Sequence, residues 1–287
     1  MLKPLNDFHF IDVHYHATPD LFNRRYSAIE AGRIYQKYQG AVVLKSHLGS
    51  TAVQATLAQA EGYPVLPSLV LNDIAGGFDY RVIVRALLEY KPLIEGRMLV
   101  FLPTITGRTH KSRLKRKLSC EQYAAISQRP LTVFNERNQL KSEVIELLRV
   151  AANEPIVFST GHASKEETYA LIDEVCKHNH CKLMLNQPAN PLTGLDAHAL
   201  LEISSIPNVF IEQTVLTYLL AYQSEEDFKE VLTTVPQVIY SSDLGQPNQM
   251  DIEGFLKQSR AYFKLFQLTK EREELIRKQN PIKMLGV

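Results

Sequence analysis

Short apolar runs recur along the chain, and most of them are followed by a segment with helical spacing. Runs of about four to seven apolar, largely β-branched residues are typical of strands that are buried on both faces, as parallel sheets require. Their alternation with helices indicates βαβ units. The pattern predicts strands over residues 8–16, 41–47, 64–71, 97–103, 156–160, 182–186, 208–214 and 238–242.

The number of these units and the length of the chain predict the fold class. Eight βα units within 287 residues match an α/β protein of the (β/α)8 TIM-barrel type, folded as a single domain over residues 1–287. An open, doubly wound sheet is the competing architecture, but it usually carries a glycine-rich phosphate turn after its first strand. Here His14, Tyr15 and His16 stand at that position. The barrel is therefore the favoured fold.

One connection is much longer than the others. Residues at about 106–140 form an insertion between the fourth strand and a helix predicted over 141–152. Connections this long are more often functional lids or mobile segments than plain linkers. The insertion begins with a basic run that could steer an acidic substrate, although such a run is usually only a solvated face. Its members are Arg108, Lys111, Arg113, Lys115, Arg116 and Lys117.

Composition and charge narrow the class of partner, with 45% apolar residues, 22% charged residues and a formal net charge of +1. A net charge this close to zero excludes the strong positive electrostatic field that is typical of a dedicated nucleic-acid-binding protein. The three cysteines form no C-x-x-C pair, no apolar run reaches the length of a membrane span, and we do not expect the first residues to act as a secretory leader. We expect a cytoplasmic protein that binds a small-molecule substrate, no nucleic acid and no membrane. Barrels of this size often pair, which leaves a homo-oligomer open.

Two histidines at the end of the first strand are candidate metal ligands. His14 and His16 lie two residues apart, so both side chains point to the same face of a strand. At the C-terminal end of a barrel strand, the inward face points toward the active site. Two imidazoles there can share a metal ion, although the motif is short and a pair of hydrogen-bonded histidines is the simpler alternative.

Two further strand ends strengthen the metal hypothesis. The fifth strand ends at His162 and the eighth at Asp243. With His14 and His16 they make a set of three histidines and one aspartate. Such a set suits one divalent cation, with zinc favoured and manganese, nickel or ferrous iron as alternatives, and it leaves room for a water. Scattered polar residues would not fall preferentially at the ends of these strands.

These motifs resemble those of the metal-dependent amidohydrolase superfamily of TIM barrels. The resemblance rests on Ile11-Asp12-Val13-His14-Tyr15-His16, on Thr160-Gly161-His162 and on Ser242-Asp243, and more weakly on the closing segment 280–286. It implies that His14, His16, His162 and Asp243 hold the metal. It also implies that Asp243 takes a proton from the water that the ion activates. A divalent ion lowers the pKa of water toward about 7, so an adjacent carboxylate can complete the deprotonation.

The sequence departs from the two-metal members of that superfamily. The sixth strand ends in Asn186-Gln187-Pro188 instead of a histidine. The fourth ends in Leu102-Pro103-Thr104, without the lysine that, when carboxylated, bridges two ions in such members. We therefore expect a mononuclear site. The subgroup that the chain most resembles contains both hydrolases and non-oxidative decarboxylases, which leaves the reaction type open.

Lys45 and His47 on the second strand are predicted to take part in catalysis and substrate binding. They share a strand face and point to the same end of the barrel as His14. A buried lysine needs an anion. Lys45 therefore either captures a substrate carboxylate or phosphate or pairs with a structural acid such as Asp12 or Glu212, and its carboxylation is a third alternative. His47 would donate a proton or support a metal ligand.

Gln187 and Gln213, at the ends of the sixth and seventh strands, are the remaining predicted substrate contacts. Glu212 is the alternative to Gln213, because neighbours on a strand face opposite sides. His178 and His180 repeat the H-x-H letters, but they precede a strand and so fall at the opposite end of the barrel from the active site.

The sequence thus predicts a metal-dependent hydrolase that activates water for attack on a C–N or C–O bond of a small anionic amide, lactone or ester. Asp243 would act as base and then as acid, while Lys45 and His47 position the substrate. A decarboxylase that uses the same site and a non-catalytic barrel that binds a metal or ligand are the alternatives. The sequence contains no G-x-S-x-G, H-E-x-x-H or G-x-x-x-x-G-K-[ST] motif that would indicate other chemistry.

Overall fold

The chain folds into a ring of parallel strands surrounded by helices. The computed structural model describes residues 2–108, 114–177 and 181–286. The paired strands all run parallel to their neighbours, as repeated βαβ units require. In chain order the strands are β1 (Phe10–His16), β2 (Gly40–Lys45), β3 (Val65–Leu66), β4 (Ser68–Val70), β5 (Met98–Phe101), β6 (Ile156–Ser159), β7 (Leu183–Leu185), β8 (Val209–Thr214) and β9 (Val238–Ser241).

The strands follow one another around the ring in chain order. β1, β2 and β3 form one hydrogen-bonded sheet, and β4 to β9 form the other. β3 and β4 are the two halves of the third predicted strand, divided at Pro67, which has no N–H to donate to the ladder. Hydrogen bonds from Asp243 N–H to His14 O and from His16 N–H to Leu244 O, both 2.8 Å, join β1 to the segment after β9. The architecture is the predicted TIM barrel.

Helices form the outer layer. Ser27 and Ser164 each begin a helix by accepting a hydrogen bond from the backbone three residues on, in capping boxes with Glu30 and Glu167. The first helix therefore starts at Ala28. No helix within the described ranges is long and apolar enough to cross a membrane. The helices are α1 (Ala28–Lys37), α2 (Ala52–Ala60), α3 (Tyr80–Glu89), α4 (Ala124–Ser127), α5 (Ser142–Ala151), α6 (Lys165–Val175), α7 (Ala197–Ile203), α8 (Val215–Leu219), α9 (Glu225–Thr234), α10 (Ile252–Leu265), α11 (Lys270–Glu274) and α12 (Asn280–Leu285).

The core has two layers, one inside the ring of strands and one between the strands and the helices. Alternate strand residues such as Ile11, Val43 and Phe210 fill the inside of the ring. The residues between them, such as Val42 and Ile211, pack against the helices. Because both faces of each strand are buried, the strands appear in the sequence as continuous apolar runs.

The predicted insertion at 106–140 lies between β5 and α5 and contains α4. Backbone hydrogen bonds of 2.9 Å, from Asn23 N–H to Lys117 O and from Ser119 N–H to Leu21 O, join it to the segment after β1. Arg108 and Arg116 of the basic run line a cleft at the C-terminal end of the strands. Predicted residues that lie outside the described ranges are Lys111, Arg113, His178 and His180.

Gly161→Ala and Gly194→Ala make a matched test of the close packing after β6. Both glycines have a left-handed backbone, with φ of +60° and +67°. A Cβ on Gly161 would lie 2.1 Å from Leu102 O, whereas nothing lies within 4 Å of one on Gly194. We expect Gly161→Ala to lower the free energy of unfolding by about 1–3 kcal/mol more than Gly194→Ala, measured by urea denaturation. Equal losses would contradict this packing.

Candidate metal centre

A bulge in β1 turns both of its histidines into the ring. The register of β1 against β2 shifts between Asp12 and Tyr15. Tyr15 faces the outer layer, whereas Val13 faces the inside of the ring and His14 contacts Phe101 there, with ring centroids 5.7 Å apart. Strict alternation after Val13 would turn His14 outward, and the extra residue of the bulge prevents this. The two histidines would share a face in any case, but that face points into the ring because of the bulge.

Asp12 anchors this bulge to the end of β9. Its Oδ1 accepts hydrogen bonds from His14 N–H at 3.1 Å and from Ser242 N–H at 3.0 Å, and its Oδ2 accepts one from Tyr35 O–H at 2.5 Å. Burial raises the pKa of Asp12, and these hydrogen bonds act in the opposite direction. The carboxyl group therefore fixes β1 against the residues that lead to Asp243.

His14 Nε2, His16 Nε2 and Asp243 Oδ1 form a compact, buried triangle. The two nitrogens are 3.3 Å apart, and Oδ1 lies 3.1 Å from His14 Nε2 and 3.2 Å from His16 Nε2. Ligand atoms bound at about 2.0–2.2 Å to a tetrahedral zinc ion lie about 3.3–3.6 Å from one another. The triangle fits such an ion after a small outward movement of the three side chains. Two imidazoles and a carboxylate are also a donor set that zinc accepts.

The second nitrogen of each histidine is held by an acceptor behind the triangle. His16 Nδ1 donates to Lys45 O at 3.1 Å, and His14 Nδ1 lies 2.8 Å from Glu212 Oε1. Because a carbonyl oxygen only accepts, His16 carries its proton on Nδ1 and presents the lone pair of Nε2 to the triangle. An outer acceptor of this kind fixes the tautomer of a histidine ligand and raises its basicity. Both imidazoles are therefore prepared for a cation.

The Glu212 side chain points to the inside of the ring of strands, and the Gln213 side chain points to the other side of β8. Glu212 accepts hydrogen bonds from Ser241 O–H at 2.8 Å and from Gln187 N–H at 3.0 Å, in addition to its contact with His14. Gln213 Nε2 donates to Gln223 Oε1 at 2.8 Å on the other side of β8. The prediction of Gln213 as a substrate contact is therefore corrected, because the register of β8 turns Glu212 inward. Gln187, the other predicted substrate contact, lines the cleft.

The backbone at Asp243 is held in an uncommon conformation. Asp243 has a φ of +52° and Gln187 has a φ of +38°. Residues other than glycine rarely adopt such positive values. Such outliers persist where the surroundings over-determine them, often at functional sites. Gly245 packs directly on β1, because a Cβ there would lie 1.9 Å from His16 O. The turn after β9 therefore needs glycine at position 245 to bring Asp243 against the histidines.

His162 lies outside the triangle. After β6 the chain turns at Gly161, and His162 N–H donates to Pro103 O at 3.0 Å. This turn sets the His162 ring against His47, with centroids 6.4 Å apart, and both residues line the cleft. The structure thus brings three of the four predicted ligands within ligand distance of one another, and the fourth faces the same cleft from its wall.

Lys45 crosses the inside of the ring to reach β7. Its Nζ donates to Asn186 Oδ1 at 3.2 Å and lies 4.1 Å from the centroid of the Phe101 ring. Neither predicted acidic partner, Asp12 or Glu212, forms an ion pair with Lys45 in the described part of the chain. Burial lowers the pKa of Lys45 to about 8, although the charges of Asp243 and Glu212 oppose this. Lys45 is a buried cation that still lacks an anion.

Asp20, after β1, is bound to Arg24 and is not free for a second cation. His16, Asp20 and His47 also lie close enough to hold an ion. However, Asp20 Oδ2 lies 2.5 Å from Arg24 Nη2, and Oδ1 accepts a hydrogen bond from His47 N–H at 2.6 Å. The Arg24 guanidinium thus supplies the positive charge that this aspartate needs. The His14–His16–Asp243 triangle is therefore the better suited of the two groups to hold a cation.

Burial and neighbouring charges set the protonation of the histidines. Burial holds the pKa of His16, His47 and His162 well below the ordinary value, so these rings are neutral. Burial also opposes ionisation of Asp243, but His14 and His16 hold its pKa well below the usual range. Burial lowers the pKa of His14, and the charge of Asp243 reverses this and raises it overall. A cation in the triangle would replace the proton on His14.

A cleft of about 500 Å³ lies above the triangle. His47 is fixed in its wall, with Nδ1 2.8 Å from Thr104 Oγ1 and its ring stacked on His16 at 4.9 Å. Apolar side chains such as Phe22 and Leu216 form part of the lining. A cleft of this size with a few convergent polar groups can hold a small molecule. The polar and charged lining residues include His47, Arg108, Arg116, His162, Gln187 and Asp243.

Glu212→Gln tests the support behind His14. The substitution keeps the shape of the side chain but removes the charge that orients His14, so we expect zinc affinity to fall by about 10–100-fold. Gln213→Met, on the opposite face of β8, is the matched control and should bind zinc like the wild-type chain. Competition with a chromophoric chelator measures both. An unchanged affinity in Glu212→Gln would argue against His14 as a ligand.

Comparison with known proteins gives a family and a fold. Residues 9–212 match the model of a family of unknown function, DUF6282. No curated protein matches the chain in sequence. A probable 2-pyrone-4,6-dicarboxylic acid hydrolase from Acinetobacter baumannii aligns over 98% of this chain and 100% of its own, with a TM-score of 0.56 and 16% identity.

Two further solved structures resemble the whole chain. An amidohydrolase from Burkholderia multivorans with bound zinc aligns over 96% of this chain and 98% of its own, with a TM-score of 0.54 and 11% identity. A 2,6-dihydroxybenzoate decarboxylase from Rhizobium aligns over 99% of this chain and 98% of its own, with a TM-score of 0.54 and 9% identity. At these identities the likeness concerns the fold. The chain has the fold of amidohydrolase-type TIM barrels and belongs to the DUF6282 family.

Proposed function

We propose that this protein is a mononuclear metal-dependent hydrolase, with zinc as the favoured ion, that cleaves a C–N or C–O bond of a small anionic amide, lactone or ester. The observation that carries the proposal is the triangle of His14 Nε2, His16 Nε2 and Asp243 Oδ1, with sides of 3.1–3.3 Å, beneath the cleft. Manganese, nickel and ferrous iron accept the same donors. The fold neighbours support this class, because they include hydrolases and one was solved with zinc.

Asp243 is the proposed base. A divalent ion held by the triangle would acidify a water and polarise a substrate carbonyl. Asp243 lines the cleft and is ionised, so its carboxylate can accept a proton from a water there. The same group can then return the proton to the leaving group. Its left-handed backbone, locked between β9 and β1, keeps the carboxylate at one position throughout.

Lys45 and His47 are proposed to position the substrate. Lys45 supplies a buried positive charge beside the triangle, which suits an anionic substrate. His47 is neutral and bonded through Nδ1 to Thr104, so its Nε2 is the ring atom left for a substrate. His162 faces the same space and can act as a fourth ligand after a rotation of its side chain, or it can contact the substrate directly.

A decarboxylase using the same triangle is the second candidate. The specific observation in its favour is the unpaired Lys45, which could hold a substrate carboxylate close to the proposed ion. A neighbour with the same fold is a 2,6-dihydroxybenzoate decarboxylase. Product analysis separates the two reactions, because decarboxylation releases carbon dioxide whereas hydrolysis generates a new acid. A metal-binding barrel without turnover is the remaining alternative.

Asp243→Asn tests the proposed base. A panel of amides, lactones, esters and aromatic carboxylic acids, with added zinc or manganese, first identifies a reaction of the wild-type chain. We expect Asp243→Asn to lower its kcat by about 10²–10⁴-fold, because an amide cannot accept the proton. Glu253→Gln, which changes an exposed carboxylate on α10, should leave kcat unchanged.

Zinc content is measured in the same preparations. A zinc-loaded Asp243→Asn that keeps full turnover would show that Asp243 is not the base. A wild-type chain that retains no more zinc than a His14→Ala/His16→Ala variant would contradict the metalloenzyme itself.

A further inference from the structure

Two cations without a carboxylate partner among the described residues lie at the cleft and beneath it: Arg116 lines the cleft, and Lys45 is buried under it, close enough to feel the charge of Asp243. In the described ranges, neither Lys45 nor Arg116 forms an ion pair, whereas Arg24 and Arg108 are paired with buried acids at 2.5 Å. Lys45 is 1% exposed and lies beside the triangle. Arg116 lines the rim of the cleft, where its guanidinium packs over the Phe22 ring at 5.3 Å. Each cation thus packs against an aromatic ring and has no acid within ion-pair distance among the described residues.

Lys45 and Asn186 together form a site with two hydrogen-bond donors. Asn186 is 2% exposed, and its backbone N–H donates to Thr160 Oγ1 at 2.9 Å. Lysine has donors only, so the atom that faces Lys45 Nζ is Oδ1 of Asn186. Nδ2 is therefore the free end of the amide, and it is buried without a hydrogen-bond partner. A buried donor left unpaired is unfavourable unless a ligand or water satisfies it.

The Lys45–Asn186 pair and the Arg116 guanidinium each suit one carboxylate. A carboxylate has two oxygens in one plane, which can accept one hydrogen bond from Lys45 Nζ and one from Asn186 Nδ2. The Arg116 guanidinium is a planar fork that matches a second carboxylate in the same way. The triangle of His14, His16 and Asp243 lies near the inner end, so the bond to be cleaved would lie between the two anchors or next to the inner one.

We propose that the cleft binds a dicarboxylate, with one carboxylate held by Lys45 and Asn186 beside the metal centre and the other by Arg116 at the rim. This inference deepens the proposed function, because it names the substrate class of the same site. It also explains why a buried lysine and an unpaired amide lie together beside the triangle, which a purely structural role of Lys45 does not require.

Calorimetric titration of the full chain with simple diacids tests the proposal. The probes are malonate, succinate, glutarate and adipate, each compared with its monomethyl ester and with inorganic phosphate, on zinc-loaded and metal-free protein. We expect one diacid to bind at least about tenfold more tightly than its monoester, because a charged hydrogen-bonded pair is lost in the ester. No preference for any diacid, or tighter binding of phosphate, would overturn the proposal.

Three variants test the two proposed carboxylate sites separately. Arg116→Met should reduce diacid affinity to that of the monoester, whereas Lys115→Met, which removes a neighbouring charge outside the cleft lining, should not. Asn186→Asp gives Lys45 an internal carboxylate and should weaken both diacid and monoester while the chain remains folded, as checked by thermal denaturation. An Arg116→Met variant that keeps the diacid preference would overturn the outer site, and a fully binding Asn186→Asp would overturn the inner one.

The zinc measurement separates this inference from the proposed function. Zinc binding without a diacid preference contradicts the dicarboxylate site alone. A diacid preference in a chain that binds no zinc supports the dicarboxylate site and contradicts the metal-dependent hydrolase.

Discussion

The Asp243 carboxylate, held between the imidazoles of His14 and His16, is the interaction on which the site depends. It joins the first strand of the ring to the segment after the last one, where backbone hydrogen bonds run from Asp243 to His14 and from His16 to Leu244. Three polar side chains are buried together there, which is unfavourable unless each finds a partner. The proposed metal site and the meeting of β1 with β9 are therefore one structural feature.

The residues around the triangle fix the positions of its three side chains. Asp12 holds the β1 bulge, Glu212 and the Lys45 carbonyl hold the outer nitrogens of the histidines, and Gly245 lets the turn after β9 approach β1. Each of these groups is itself satisfied by further hydrogen bonds or close packing. By contrast, Lys45 Nζ and Asn186 Nδ2 retain unused donors. The site thus combines a well-supported candidate for cation binding with two buried groups beside it that still have unpaired donors, which is where we expect a ligand.

The sequence predicted the barrel because strands buried on two faces give continuous apolar runs. Residues at the C-terminal ends of such strands converge, which singled out His14, His16, His162 and Asp243, and the structure brings three of these four together. His162 was less predictable, since it stands beyond its strand, where a glycine turn and not the strand period directs the side chain. The choice between Glu212 and Gln213 needed the register of β8. Asn186 gave no signal, because its role arises from contact with Lys45 across the ring.

Anomalous diffraction at the zinc edge, from crystals of zinc-loaded protein, tests the central claim most directly. The account predicts one strong peak about 2.0–2.2 Å from His14 Nε2, His16 Nε2 and an Asp243 carboxylate oxygen. It further predicts that Glu212 and the Lys45 carbonyl still contact the outer nitrogens of the two histidines. A peak elsewhere, or none at this triangle at saturating zinc, would contradict the account.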